Sequence, residues 1–172
     1  MVNSHPVGRH AAPGRLEDIR ELLNTWRIPN DIRQPVDRLA DYAGPRGIPN
    51  DERRLVRRLR DDLRHAIEHG DDADERLNGW VSRLALAPSV SGDSITYRHR
   101  AGVAGDLCTI VLEAIGAGEW RRLKACPDCR FVFFDQTRNA GRRWCTMTAG
   151  DPEGRSCGSI SKVRRYRERH PA

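Results

Sequence analysis

Aromatic residues make up only 6% of the 172-residue chain, and lysine is nearly absent, with two against 28 arginines. The arginine excess fits a GC-rich coding sequence and carries no functional weight. No apolar run approaches the roughly 18 residues that a membrane span needs; the longest centres on Thr109–Leu112. The stretch from Met1 to Pro13 has Arg9 but no apolar core, so no secretory signal is expected and an exported protein is disfavoured. The six histidines are scattered, and there is no G-x-S-x-G, no Gly-rich phosphate loop and no carboxylate pair. An enzyme is therefore not expected.

What is present is a charge asymmetry. Residues 1–120 carry 17 arginines against 19 acidic residues, a net of −2, whereas residues 121–172 carry 13 basic against 5 acidic residues, a net of +8. A near-neutral body with a basic C-terminal segment fits a nucleic-acid-facing appendage.

Along the body, apolar residues recur at helical spacing. Leu16, Ile19, Leu22, Leu23 and Trp26 predict a first helix, and Val36, Leu39, Ala40 and Ala43 a short second one. A third buries Leu55, Val56, Leu59, Leu63, Ala66 and Ile67, with Asn50 or Asp51 as its cap and Gly70 as its stop. Its arginines 53, 54, 57, 58 and 60 alternate with acids and read as a salt-bridged solvent face. A fourth helix spans about residues 74–86, with Leu77, Val81 and Leu84 inward. Val90–Tyr97 reads as a hairpin, and Val103–Ile115 as a strongly apolar fifth helix. The fold class is mainly α with small β-hairpins: a loose leader over residues 1–14, a helical domain over 15–118 and a small basic domain over 119–172.

Four of the five cysteines lie in that last segment. Cys126-x-x-Cys129 is followed by Cys145 and Cys157, and four thiolates satisfy tetrahedral Zn²⁺ with no open position, so one structural zinc per chain is expected. A redox dithiol is disfavoured, since Phe131–Phe134 reads as a strand where a redox pair opens a helix. Disulfides would need an oxidising compartment. Cys108, on the apolar fifth helix, reads as an inert filler.

Between the second and third cysteines, Arg138, Arg142 and Arg143 lie on a polar turn. After the fourth, residues 159–169 read as a helix in which Ile160, Val163 and Tyr166 form a docking stripe. Lys162, Arg165 and Arg169 lie opposite it, with Arg164 on the flank. A helix docked by one stripe and basic on the other face can lie on phosphates or enter a major groove. Arg164 and Arg165, midway along it, are the candidates for base readout.

Arg122–Leu–Lys–Ala–Cys126–Pro–Asp–Cys129–Arg–Phe–Val–Phe–Phe–Asp135–Gln–Thr–Arg138–Asn139, Arg142–Arg143–Trp144–Cys145, Cys157–Gly158 and Lys162–Arg167 together resemble the CGNR zinc-finger family. Leu22–Leu23–Asn24–Thr25, Asp31 with Pro35 and Leu39, and Leu77–Asn78 resemble the ABATE domain that precedes that finger. The resemblance implies a cytoplasmic, stress-induced transcription regulator with a zinc finger for double-stranded DNA and a sensor or interaction domain before it. Two departures stand out. Eleven residues, 146–156, separate the last two cysteines where the family has only a few, and the Cys–Gly–Asn–Arg signature reads Cys157–Gly158–Ser159–Ile160.

The competing reading is an RNA- or ribosome-associated zinc module, since the same arginines attract any phosphate backbone. For the helical domain, Asn24, Trp26, Arg27 and Trp80, with Tyr97, are candidates to line a small-molecule pocket. One small finger rarely holds duplex DNA tightly alone, which favours a homodimer, although no interface pattern stands out.

Overall fold

The computed structural model describes residues 10–146 and 156–170. Six helices dominate: α1 (Leu16–Asn24), α2 (Leu39–Ala43), α3 (Asn50–Glu68), α4 (Ala73–Arg83), α5 (Gly102–Gly116) and α6 (Cys157–Arg169). Three antiparallel strand pairs join them: β1 (Trp26–Arg27) with β2 (Val36–Asp37), β3 (Ala87–Ser91) with β4 (Ser94–Arg98), and β5 (Leu123–Ala125) with β6 (Val132–Phe134). No helix among the described residues is long and apolar enough to cross a membrane.

Helix α1 buries Leu16, Ile19, Leu22 and Leu23 as its spacing dictates, but it ends before Trp26. The Thr25 hydroxyl donates to the Leu22 carbonyl at 2.7 Å, closing the last turn, and Trp26 enters β1. Val36 likewise belongs to a strand, and α2 turns Leu39, Tyr42 and Ala43 inward while Ala40 is exposed. Helix α3 starts after Pro49 with no side-chain cap, so neither Asn50 nor Asp51 plays that role. Gly70, at φ +82, follows its end as expected. Helix α4 turns in Leu77 and Trp80, with Val81 only half-buried. The β3–β4 hairpin leaves its Val90–Ile95 pair in solvent.

Arg60 is not on a solvent face: it is 1% exposed, and Arg64 is 4% exposed. Both lie on the buried arc of α3, one position past Leu59 and Leu63. Arg60 forks onto Asp37 at 2.8 and 3.0 Å and donates to the Thr25 hydroxyl at 2.9 Å. Arg64 donates to the Leu23 carbonyl at 2.7 Å, pairs with Glu68 and lies over the Trp26 ring. These arginines replace apolar packing with satisfied charge, the condition under which a guanidinium can be buried.

Residues on both sides of position 118 share one core. Leu123, Val132 and Phe134 of the β5–β6 hairpin pack with α1, α3 and α5, while Phe131 and Phe133 turn to a second cluster formed with four cysteines and flanked by Trp144. A strand buried on both faces explains the unbroken apolar run Phe131–Phe134. Within the stretch read as a leader, His10 and Ala12 are buried, and the His10 carbonyl accepts from Phe134 N–H at 3.1 Å; residues 1–9 lie outside the described residues.

Candidate metal centre

The hairpin β5–β6 builds half of the site. Cys126 follows β5, and Cys129 stands three positions before β6 begins. Cys126 N–H donates to the Phe131 carbonyl and Arg130 N–H to the Cys126 carbonyl, both at 2.9 Å. Arg130 takes a left-handed φ of +59 to close this knuckle. Cys145 and Cys157 complete the set, and the four sulfurs lie within 4.8 Å of one another. Cys145 is 3.5 Å from both Cys129 and Cys157. Tetrahedral Zn–S bonds of about 2.3 Å require sulfur separations near 3.8 Å, and the four sulfurs cluster at that scale.

All four cysteines are buried, with exposures of 0 to 3%. So close together they cannot all ionise unaided: their mutual hydrogen bond pushes the Cys126 thiol down and the Cys129 thiol up. A dication between them supplies the charge that makes four thiolates tolerable. The closed donor set makes this a structural zinc centre, with no position for substrate water. Cys108 lies outside it, and burial pushes its thiol up to about 11, consistent with an inert filler.

The fourth ligand is held despite the long intervening segment. Cys157 N–H donates to the Thr146 hydroxyl at 3.2 Å and Gly158 N–H to the Thr146 carbonyl at 3.1 Å. The Ser156 and Ser159 side chains form a reciprocal capping box at the start of α6. The insertion itself, residues 147–155, lies outside the described residues.

Sequence reasoning missed the shell around the sulfurs. Asn30 Nδ2 donates to Cys157 Sγ at 3.0 Å, and Ile28 N–H donates to the Cys129 carbonyl at 3.0 Å. Arg33 pairs with the buried Asp128 at 3.0 Å, with Arg164 at 3.6 Å on the same carboxylate. Arg64 donates to the Arg130 carbonyl at 2.8 Å. The body therefore grips the knuckle through backbone carbonyls, the Asp128 carboxylate and one sulfur, contacts between positions too distant in sequence for local spacing to reveal.

Asp135 organises the loop before Cys145. Its carboxylate accepts from the Thr137 backbone N–H and hydroxyl, from Lys124 and from the Arg142 N–H. Burial alone would raise its pKa, but these donors together bring it down to about 2. A group depressed from an ordinary 3.8 stabilises the fold fully above about pH 4 and loses that contribution as the pH falls toward 2. The contribution is about 2 kcal/mol. Asp135→Asn should cost about 3 kcal/mol at pH 7 in urea unfolding of the zinc-loaded protein, because Lys124 loses its buried partner. The gap from wild type should be constant down to about pH 4 and narrow below it; a gap that widens in acid would contradict this account.

The residues expected to contact nucleic acid divide into groups. Arg138, Arg143, Lys162, Arg164 and Arg169 are exposed, as is Arg167. Arg142 is a brace: its guanidinium donates to the Trp144 carbonyl at 2.9 Å and to the Cys145 carbonyl, and lies over the Phe133 ring. Arg142→Ala should therefore cost about 2 kcal/mol of stability through lost charge-assisted bonds. Arg143→Ala should change it by less than about 0.5 kcal/mol. Urea unfolding of both variants checks the contrast. The Arg165 side chain lies outside the described residues.

The docking stripe needs correction. Val163 is 49% and Tyr166 65% exposed, with Tyr166 stacked on His170 at 4.5 Å. Cys157 and the capping box anchor the first turn of α6, and in the next turn Arg164 lies 3.6 Å from the buried Asp128.

The pocket candidates do not converge. Asn24 clamps the Val132 backbone through two hydrogen bonds of 2.7 and 2.8 Å. Arg27 lies in β1 opposite Val36. Trp26 and Trp80 border separate depressions, and the Trp80 indole N–H donates to Asp62 at 2.9 Å.

A family model of the CGNR zinc finger matches residues 122–170, which include all four clustered cysteines. No curated protein matches the chain.

Proposed function

We propose that this zinc module binds double-stranded DNA and that the chain acts in the cytoplasm as a transcription regulator, its helical body an ABATE-type sensor or interaction domain. The supporting observation is that α6 starts on the zinc ligand Cys157 and carries exposed Lys162, Arg164, Arg167 and Arg169 beyond its first turn. A basic helix held rigidly at one end can enter a major groove, while Arg138 and Arg143 on the adjoining loop reach neighbouring phosphates. The match to the finger family supports the same reading for residues 122–170.

A second reading, an RNA- or ribosome-associated zinc module, is favoured by the exposed Tyr166 ring, which can receive an unpaired base. Phe131, Phe133 and Phe134 are buried and unavailable for that role. Selection by the zinc-loaded protein from pools of random duplex DNA and single-stranded RNA distinguishes the two. Enrichment of a duplex motif is expected; enrichment of RNA alone would overturn the DNA reading.

A further inference from the structure

A groove of about 920 Å³ opens where the C-terminal end of α4, the β3–β4 hairpin and the start of α5 meet. Its wall carries Arg83, Arg98 and Arg100 against a single carboxylate, Asp106, which His99 engages at 3.3 Å. Among the described residues, none of the three guanidinium groups has a hydrogen-bond or ion-pair partner; Arg83 only lies over the Trp80 ring, at 5.3 Å from its centroid. Elsewhere in the body Arg20, Arg60, Arg64 and Arg76 each sit on a carboxylate, whereas the groove gathers three arginines without one around a single depression. Three unpaired like charges around one depression raise its potential, and an anion entering it relieves their repulsion.

The groove also has a fixed, partly apolar wall. Leu84, Ala101 and the half-buried ring of Tyr97 line it beside the arginines. His99 is seated against Gly105 of α5, where any Cβ would come within 2.2 Å of the His99 Nδ1 atom. The glycine in the first turn of α5 is what allows that seat, and it pins the segment carrying Arg98 and Arg100. The N-terminal end of α5 is not a free donor set, because Glu52 already accepts from Val103 N–H at 2.8 Å. The guanidinium groups therefore dominate the field.

We propose that this groove binds a small, multiply charged phosphate ester of nucleotide size, the arginines holding the phosphates and Tyr97 flanking the organic part. The planar fork of a guanidinium pairs with two phosphate oxygens at once, and the volume falls within the range of small-ligand sites. The groove lies at the start of α5, a helix of 15 residues, and the chain reaches the hairpin that carries Cys126 and Cys129 only after that helix ends. The site thus gives the sensor role of the body a ligand class without involving the finger.

Calorimetric titration of the full-length, zinc-loaded protein with ATP and with inorganic pyrophosphate, in the absence of DNA, tests the proposal. Saturable ATP binding is expected, tighter than pyrophosphate and about tenfold or more weaker in an Arg98→Ala, Arg100→Ala double variant. Both positions are exposed, and an unchanged thermal midpoint of the ligand-free variant checks its fold. No saturable binding, equal affinity in the variant, or pyrophosphate bound as tightly as ATP would overturn it. So would a variant altered only in the salt dependence of duplex binding, which would make the groove a DNA contact. With no DNA in the titration, the result does not depend on whether the finger binds duplex.

Discussion

Chelating the zinc is expected to lower the thermal midpoint of the helical body by about 10 °C or more, besides unfolding the finger. Leu123, Val132 and Phe134 belong to the same core as α1, α3 and α5, while Phe131 and Phe133, on the other face, pack around the cysteines. Metal binding in small zinc modules is worth about 10–16 kcal/mol and is spent on folding them. Losing it releases the knuckle from Ile28, Asn30 and Arg33 and frees one face of β6. Disturbing two or three buried side chains of the shared core costs about 3–5 kcal/mol, and for a chain of this size each kcal/mol moves the midpoint by about 2–4 °C. Circular dichroism melts with and without chelator, and of Cys145→Ser, check this. A finger lost while the body melts unchanged would mean that the shared core does not couple them.

Duplex binding by the zinc-loaded protein is expected to weaken on the order of 500-fold between 50 and 200 mM salt. Five exposed cations, Arg138, Arg143, Lys162, Arg167 and Arg169, are placed to meet phosphates, with Arg164 turned to base edges. At about 0.9 counterions released per neutralised phosphate, the slope of log affinity on log salt should lie near −4 to −5. Arg143→Ala should reduce it by about one, weakening all sequences alike. Arg164→Ala with Arg165→Ala should instead relax preference at one or two bases, at about 1–3 kcal/mol for each lost readout. Arg164 already lies 3.6 Å from Asp128, so on DNA it exchanges one anionic partner for another. A double variant with intact affinity and preference would remove α6 as the recognition element.

The helices and the ligand set could be read from the sequence because both depend on local spacing. A 3.6-residue apolar period marks α1, α3 and α5, and C-x-x-C followed by two further cysteines marks a tetrahedral site. Arg60 was legible but misjudged: it stands four residues after Val56 and three before Leu63, on the buried arc, yet its neighbouring charges suggested a solvent face. Arg142 looks like its neighbour Arg143 in sequence, and only the carbonyls of Trp144 and Cys145 separate a brace from a free cation. Asn30 and Asn24 act on partners more than 100 positions away, where no local pattern operates. The stripe Ile160–Val163–Tyr166 has the right period for docking, but only Ile160 is half-buried, and Val163 and Tyr166 stay exposed.

Zinc-dependent presentation of α6 to duplex DNA is tested most directly by titrating a labelled duplex with zinc-loaded, chelated and zinc-restored protein. Affinity should fall on the order of 100-fold or more on chelation and return when zinc is restored, because the helix loses its anchor at Cys157. Equal affinity with and without the metal would contradict the account.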